Sequence, residues 1–426
     1  MEEQKDTEEE SNATDLLETT EHVYPEGGLA AWLTVAGAFC CMFCAYGWAN
    51  AIGVFQDYYK THQLSHLSES TISWIGSLNI FMMYIFGIAA GRIFDMMGPR
   101  YPLMIGSVLQ VLGLMMTSIC NSYGPILVCQ GIIAPIGAAF VYYSAVAAVP
   151  TYFHRRRGLA MGIASSGSSV GTTVYPFIIR RLTKQTTFGW TMRTCAFLIG
   201  GLLLFGNLTI TSNVKPRGTW RMPLSDITRH FKDKNFLILS SSIFMGYWGL
   251  LVPFNYMTTY ARYRGVDDDM ATYLVSILNG TSALTRVVNG FFSDRIGKYN
   301  VDTAGLVLAA VITLALWIPA RGLVSLIIYA IVYGVASGTF IMVSPACCAQ
   351  ISEVTDIGTR IGLSFGFTSI AALTGIPIAG AIIGDGSRDS QWRGMMIFAG
   401  VLLSVGAVIH WLGRVYNVGW KLNRVF

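Results

Sequence analysis

The sequence predicts an all-α membrane protein, twelve transmembrane helices in two pseudo-symmetric six-helix bundles, and three observations predict it. Of its 426 residues 53% are hydrophobic and only 12% charged, with a mean hydropathy of +0.51, which does not describe a water-soluble surface. Apolar stretches of roughly 20 residues recur along the chain, the length that crosses a hydrocarbon core about 30 Å thick. A polar joint, Gly91-Arg-Ile-Phe-Asp95-Met-Met-Gly98-Pro-Arg100, returns half a chain later as Gly290-Phe-Phe-Ser-Asp294-Arg295-Ile-Gly297-Lys298. One such joint between two apolar runs means little, but a pair in equivalent places marks two related halves joined in the middle.

The elements follow in order. Residues 1–24 carry Glu2, Glu3, Asp6, Glu8, Glu9, Glu10, Asp15, Glu18 and Glu21 against Lys5 alone, with too little apolar surface to offset the entropy of ordering them, so they are expected to form a disordered acidic tail. No basic n-region with a short apolar core and a small-residue cleavage site precedes the first span, so that span directs insertion itself. Spans are expected at 29–55, 71–91, 101–120, 125–149, 158–180 and 193–212, then at 236–260, 270–293, 302–320, 322–345, 361–384 and 393–413. The N-terminal bundle is thus 25–212 and the C-terminal bundle 236–413. Between them the polar stretch 213–235, with Lys215, Arg217, Arg221, Arg229, Lys232 and Lys234, reads as a linker, and 414–426 as a C-terminal tail.

An even number of spans puts both termini on one side of the membrane, and the bases choose the side. Lys5, Arg92, Arg100, Arg155, Arg156, Arg157, Arg295, Lys298, Arg360, Arg414, Lys421, Arg424 and the six linker bases share the side of the termini and outnumber Lys60, Arg180, Arg181, Lys184, Arg193, Arg262, Arg264, Arg321, Arg388 and Arg393 opposite. The positive-inside rule therefore predicts cytoplasmic termini in a multi-pass protein, with the plasma membrane favoured over the vacuolar one. Forty-five glycines are tolerable here because small residues let membrane helices approach closely. Several, such as Gly87 and Gly91, Gly158 and Gly162, or Gly362 and Gly366, are spaced by four and make smooth stripes on one helix face.

The chemistry that is missing narrows the function. There is no phosphate-cradling Gly-rich loop for an ATP-driven pump, no nucleophile elbow, and no set of His, Cys or acidic residues with the spacing of a metal site. The eight cysteines sit in or beside apolar runs and read as small packing residues. Bases in short loops make no continuous surface for nucleic acid. The expectation is a protein that is not an enzyme and needs no cofactor and no metal, working as a monomer in the lipid bilayer on a small organic substrate, with or without a co-transported proton.

One residue stands out. Arg286 is the single base placed well inside a span, where a centred guanidinium costs roughly 2.5–3.5 kcal/mol unless it faces a wet cavity or a partner. No carboxylate is expected deep in a span, since Asp57, Asp294 and Asp385 fall near span ends, so an anionic substrate is the economical partner for Arg286. Tyr46 and Asn50 on the first span, Tyr142 and Tyr143 on the fourth, and Asn255 and Tyr256 on the seventh complete the candidate substrate site. Tyr46 and Asn50 are four apart and share a face, and an unpaired amide in hydrocarbon costs several kcal/mol.

Two six-span halves with Gly-x-x-x-Asp-x-x-Gly after the second and eighth spans resemble the major facilitator superfamily over nearly everything past residue 24. Glu26-Gly-Gly-Leu-Ala-Ala-Trp32 and Tyr152-Phe-His-Arg-Arg-Arg-Gly-Leu-Ala-Met-Gly162 resemble two signatures of its monocarboxylate transporter branch, fungal permeases included. Arg286 falls where that branch keeps its substrate-anion Arg. Ser282 replaces the branch's acid one turn earlier, Asn50 its first-span Lys, and Met96 the usual Arg of the first joint, so the resemblance carries the fold further than it carries small-monocarboxylate symport. It implies two bundles rocking about a midplane site, which makes this a secondary transporter of a small organic anion by alternating access. A neutral or aromatic secondary metabolite as exported cargo, and a ligand sensor that moves nothing, are the alternatives. In the rocking scheme Asp95 would sit at the positive end of the eleventh helix near Arg360, and Asp294 at that of the fifth near Arg156 and Arg157. With Gly91, Gly98, Arg100, Gly290, Arg295 and Gly297 these form two candidate latches, each worth up to about 2 kcal/mol.

Overall fold

The computed structural model describes residues 24–214, 216 and 229–420. The acidic tail before Tyr24, the linker bases Lys215, Arg217 and Arg221, and the tail bases Lys421 and Arg424 lie outside the described residues. Within them the chain is helical and no strand is present. Twelve long helices follow one another: α1 Leu29–Thr61, α2 Thr71–Met97, α3 Arg100–Thr117, α4 Tyr123–Thr151, α5 Arg157–Gln185, α6 Phe188–Thr209, α7 Lys234–Tyr263, α8 Asp268–Ile296, α9 Lys298–Trp317, α10 Leu323–Gln350, α11 Ile357–Ile383 and α12 Asp389–Val418. Nine of the described helices are long and apolar enough to cross a membrane by length and composition; α3, α5 and α8 are of spanning length but fall outside that set.

Local chemistry sets the ends. Ser68 caps α2 by accepting from the Thr71 amide at 3.1 Å, Thr187 caps α6 from Trp190 at 3.4 Å, and Asp233 caps α7 from Asn235 at 3.0 Å. The two polar joints stop their helices in the same way: Gly98 after α2 has φ 78° and Gly297 after α8 has φ 100°, left-handed values that favour glycine. Both halves therefore turn at the same place by the same device.

Packing depends on the glycine stripes. A methyl group on Gly91 would overlap the carbonyl oxygen of Gly358, and one on Gly362 that of Gly87, so α2 and α11 meet backbone to backbone. The α5–α8 pair repeats this, with Gly158 against Gly290 and Gly162 against the carbonyl of Arg286. These contacts join the first half of the chain to the second at the end of the molecule that carries the linker.

The structure differs from the sequence reading in two charged positions. Asp302, expected at the boundary of the ninth span, is fully buried one turn inside α9, so a carboxylate does lie deep in the C-terminal half. Arg414, expected in the tail, is buried within α12, where its Nε donates to Asn300 at 2.9 Å and an Nη to the Gly419 carbonyl at 2.6 Å. Hydropathy misplaced both because a polar residue near a span end lowers the local average whether it faces water or protein. The described helices also overrun the expected spans, α1 reaching Thr61 and α12 Val418.

Candidate functional site

The site is built around Arg286, which is 4% exposed in the middle of α8. Because Gly162 brings α5 against its carbonyl, the guanidinium reaches across to α5. One Nη donates to the Ser165 carbonyl at 2.6 Å and to the Ser168 hydroxyl, which passes its own proton to Ser165 at 2.9 Å. Nε of Arg286 is buried with no hydrogen-bond partner. Among the described residues no carboxylate forms an ion pair with it. Its electrostatic neighbours are instead the phenols of Tyr247, Tyr142 and Tyr46. A buried cation held by neutral oxygens on the opposite half of the molecule keeps unspent capacity for an anion.

The aromatic wall is contributed by both halves. Tyr46 of α1 lies 4.6 Å from Tyr142 of α4 and 6.1 Å from Tyr84 of α2, ring centre to ring centre. Tyr84 in turn stacks on Phe365 of α11 at 5.8 Å and meets Tyr247 of α7 edge on at 6.1 Å. Tyr247 reaches Phe340 of α10 at 5.2 Å, and Tyr143 of α4 reaches Phe365 at 6.0 Å. The hydroxyls of Tyr143 and Tyr247 are buried without hydrogen-bond partners, a cost of about 1–3 kcal/mol each that a polar ligand would relieve. Tyr46 lies on a π-helical turn, Phe43–Gly47, an irregularity that re-aims side chains and recurs at functional sites.

The structure brings Tyr46, Tyr142 and Tyr143 together with Arg286, but not the two amides. Asn50 is exposed and donates to Thr172 of α5 at 3.1 Å; Asn255 is exposed and donates to the Leu251 carbonyl of its own helix at 2.8 Å. Sequence reasoning missed Tyr84, Tyr247, Phe340 and Phe365. Helical spacing held a signal for two of them: Tyr84 shares a face with Gly87 and Gly91, and Phe365 with Gly358 and Gly362. Ser282, one turn before Arg286, is fully buried and accepts from Ser169 at 3.3 Å, so that position serves α5–α8 packing.

At the linker end the two aspartates occupy equivalent positions. Asp95 accepts from the Gly358 amide at 2.9 Å and the Thr359 amide at 2.6 Å, at the start of α11. Asp294 accepts from Gly158 at 2.7 Å and Leu159 at 2.9 Å, at the start of α5. The surrounding bases are arranged otherwise. Arg360 turns from Asp95 to pair with Asp233 at 2.9 Å, Arg100 and Arg156 are exposed, and Arg295 is exposed with its guanidinium 4.1 Å from the Phe291 ring centre. Arg157 is buried and donates to the Phe153 carbonyl at 3.0 Å, and Lys298 reaches Asp294 at 3.8 Å.

The two stretches that resemble branch signatures touch each other there. The Glu26 carboxylate accepts from the amides of His154 at 2.8 Å and Arg155 at 2.6 Å, the Glu26 amide donates to Tyr152 at 3.0 Å, and Trp32 packs on Phe153 at 5.3 Å. Burial alone would raise the Glu26 carboxyl, but the amides of Arg155, His154 and Arg156 outweigh it and hold it below the usual carboxylate range. Burial, then Arg157 and Lys298, lower the neighbouring His154.

Comparison with known proteins bears on the family and the fold. A family model described as Major Facilitator Superfamily matches residues 37–320 and 237–424. An MFS-type transporter of Gibberella moniliformis is 42% identical over 94% of this chain and 94% of its own. The Fujikurins efflux protein of Gibberella fujikuroi is 37% identical over 98% of this chain and 89% of its own, and the Agnestins efflux protein of Paecilomyces divaricatus 35% over 90% and 87%. Among solved structures, the human organic anion transporter MFSD10 matches with a TM-score of 0.72 over 89% of this chain and 98% of that one; at 14% identity the likeness is one of fold.

Proposed function

Because the chain belongs to the Major Facilitator Superfamily, and is therefore a multi-pass membrane transporter, we propose that it is a secondary exporter of an anionic small metabolite bearing an aromatic or conjugated ring. The observation that carries this reading is Arg286: a buried guanidinium with a free Nε, no acidic partner among the described residues, and phenols around it. The rings supply a flat apolar surface, the partnerless hydroxyls of Tyr143 and Tyr247 supply orientation, and the guanidinium supplies charge selection. Export is the favoured direction because relatives covering nearly the whole chain are named efflux proteins for fujikurins and agnestins. We place both termini in the cytoplasm and the protein in the plasma membrane.

The mechanism follows from which half holds which group. Arg286 belongs to the C-terminal half but donates to Ser165 and Ser168 of the N-terminal half, so in this conformation it ties α8 to α5. A substrate anion competes for the same Nη and takes the free Nε, loosening that tie as it binds. The Asp95 and Asp294 contacts act as latches that hold the linker end closed, and their release completes the swing to the other access state. The test is comparative metabolite profiling of cells with and without the gene, followed by flux measured in inside-out vesicles across a pH step. An acidic compound retained in deleted cells, and taken up by vesicles that contain the protein, is the expected result. Unchanged profiles would remove the export reading, and a flux indifferent to pH would remove proton coupling.

A further inference from the structure

A second polar cluster lies in the C-terminal half, on α9, α10 and α12; it shares α10 with Phe340 of the aromatic wall but none of the hydrogen-bond partners of Arg286. Asp302 of α9, Cys347 of α10 and His410 of α12 are each buried, at 0–1% exposure, and their carboxylate, thiol and imidazole atoms all lie within 4.8 Å of one another. The hydrogen bonds around them fix the imidazole. Ser242 of α7 donates its proton to the Gly406 carbonyl at 3.1 Å, so its oxygen accepts from His410 Nδ1 at 3.0 Å. Nδ1 therefore carries the hydrogen, and the bare Nε2 lone pair points at the Asp302 carboxylate, 3.5 Å away.

Two lone-pair groups thus face each other in a dry interior, and neither is satisfied. His410 Nε2 and Asp302 Oδ1 have no hydrogen-bond partner. The other carboxylate oxygen has only a 3.3 Å contact with Ser344, whose proton is better placed at 2.7 Å on the Phe340 carbonyl. A separation of 3.5 Å is long for one shared hydrogen, since N–H···O bonds run about 2.7–3.2 Å, but it suits two ligands of one small cation whose bonds are about 2.0–2.2 Å. Cys347 supplies a third donor of the softer kind. With the thiol ionised, carboxylate and thiolate offset the charge of a divalent ion, which makes the burial of all three tolerable.

We propose that Asp302, Cys347 and His410 form a structural metal site that takes a zinc-like divalent cation. One carboxylate, one thiolate and one imidazole are all donors that zinc accepts, and Ser242 is the outer group that sets the imidazole tautomer. The site would pin α9, α10 and α12 to one another near the linker end, so that the C-terminal bundle swings as a rigid body. Transport substrate has no part in it, so its failure leaves the anion reading untouched.

The test is elemental analysis of the full-length protein purified in detergent without chelators. About one zinc per chain is expected in the wild type, falling at least fivefold in Cys347→Ser and His410→Gln, and unchanged in Cys348→Ser. Cobalt loading should give a thiolate-to-metal charge-transfer band that Cys347→Ser abolishes and Cys348→Ser keeps. Chelator should lower the wild-type melting temperature, and zinc should restore it. Wild-type protein with no more zinc than Cys347→Ser, or a melting temperature indifferent to both chelator and zinc, would overturn the proposal and leave an Asp302–His410 pair that shares a proton.

Discussion

Asp95 and Asp294 hold the same place in the two halves of the molecule, accept from the same two backbone positions of a facing helix, and are followed three residues on by a left-handed glycine. Their surroundings are not the same. Asp294 has Lys298 one turn on, with buried Arg157 beside it, whereas the residue one turn after Asp95 is Pro99, and Arg360 of the facing helix is committed to Asp233. The Asp294 site thus joins a carboxylate, a helix end and a buried ammonium, while the Asp95 site has the carboxylate and the helix end with no lysine one turn on. On the latch proposal the two joints differ in strength, the Asp294 joint being the firmer and the Asp95 joint the one that lets go first.

The largest contrast should come from truncation. Asp294→Ala leaves two amides without an acceptor, at about 1–3 kcal/mol each, and in addition strands the charge of buried Lys298. Asp95→Ala opens an equivalent pair of amides at the same cost but leaves no lysine one turn on without its partner. Membrane abundance and detergent melting temperature should therefore fall further for Asp294→Ala. Equal damage from Asp95→Ala would break the comparison. A smaller effect sharpens it: adding Lys298→Met to Asp294→Ala should recover about 1–3 kcal/mol by removing the stranded charge. No recovery would mean that Lys298 was never paired to any purpose.

Smaller again is Asp95→Asn, which keeps one oxygen acceptor and loses the charge facing the start of α11. The protein should reach the membrane, yet the balance between access states should shift by several-fold to roughly thirtyfold, read as slowed substrate exchange. Exchange at the wild-type rate would refute the latch role. The smallest effect belongs to Glu26, which braces the turn before α5. Its folded carboxyl is depressed, so its contribution is present above the unfolded value of about 4.3 and is lost as pH falls through the lower folded value. Glu26→Gln should remove that acid limb from a plot of melting temperature against pH and leave neutral pH nearly unchanged, whereas an unaltered limb would assign the acid loss elsewhere.

The repeat, the twelve helices and the contact faces could be read from sequence because they rest on averages over many residues, and a stripe such as Gly158–Gly162 survives a boundary error of two positions. Arg286 could be read because a lone charge inside an apolar run has few innocent explanations. Tyr84, Tyr247 and Phe365 could not, since a ring facing lipid and a ring buried between the two halves look alike in hydropathy. Asp302, Cys347 and His410 come from three helices, and no spacing along the chain announces what tertiary packing puts within 4.8 Å. Asn50 and Asn255 show the converse: a polar residue in a span signals a need for a partner, and Thr172 of α5 and the Leu251 carbonyl meet that need without Arg286.

The central claim is that Arg286 selects an anion. The direct measurement takes the metabolite whose export depends on the protein and compares binding of its acid with that of its methyl ester, to wild type and to Arg286→Ala. Wild type should prefer the acid by at least about tenfold, or 1.4 kcal/mol, and the variant should bind both about equally. A variant that keeps the full preference for the acid would contradict the account.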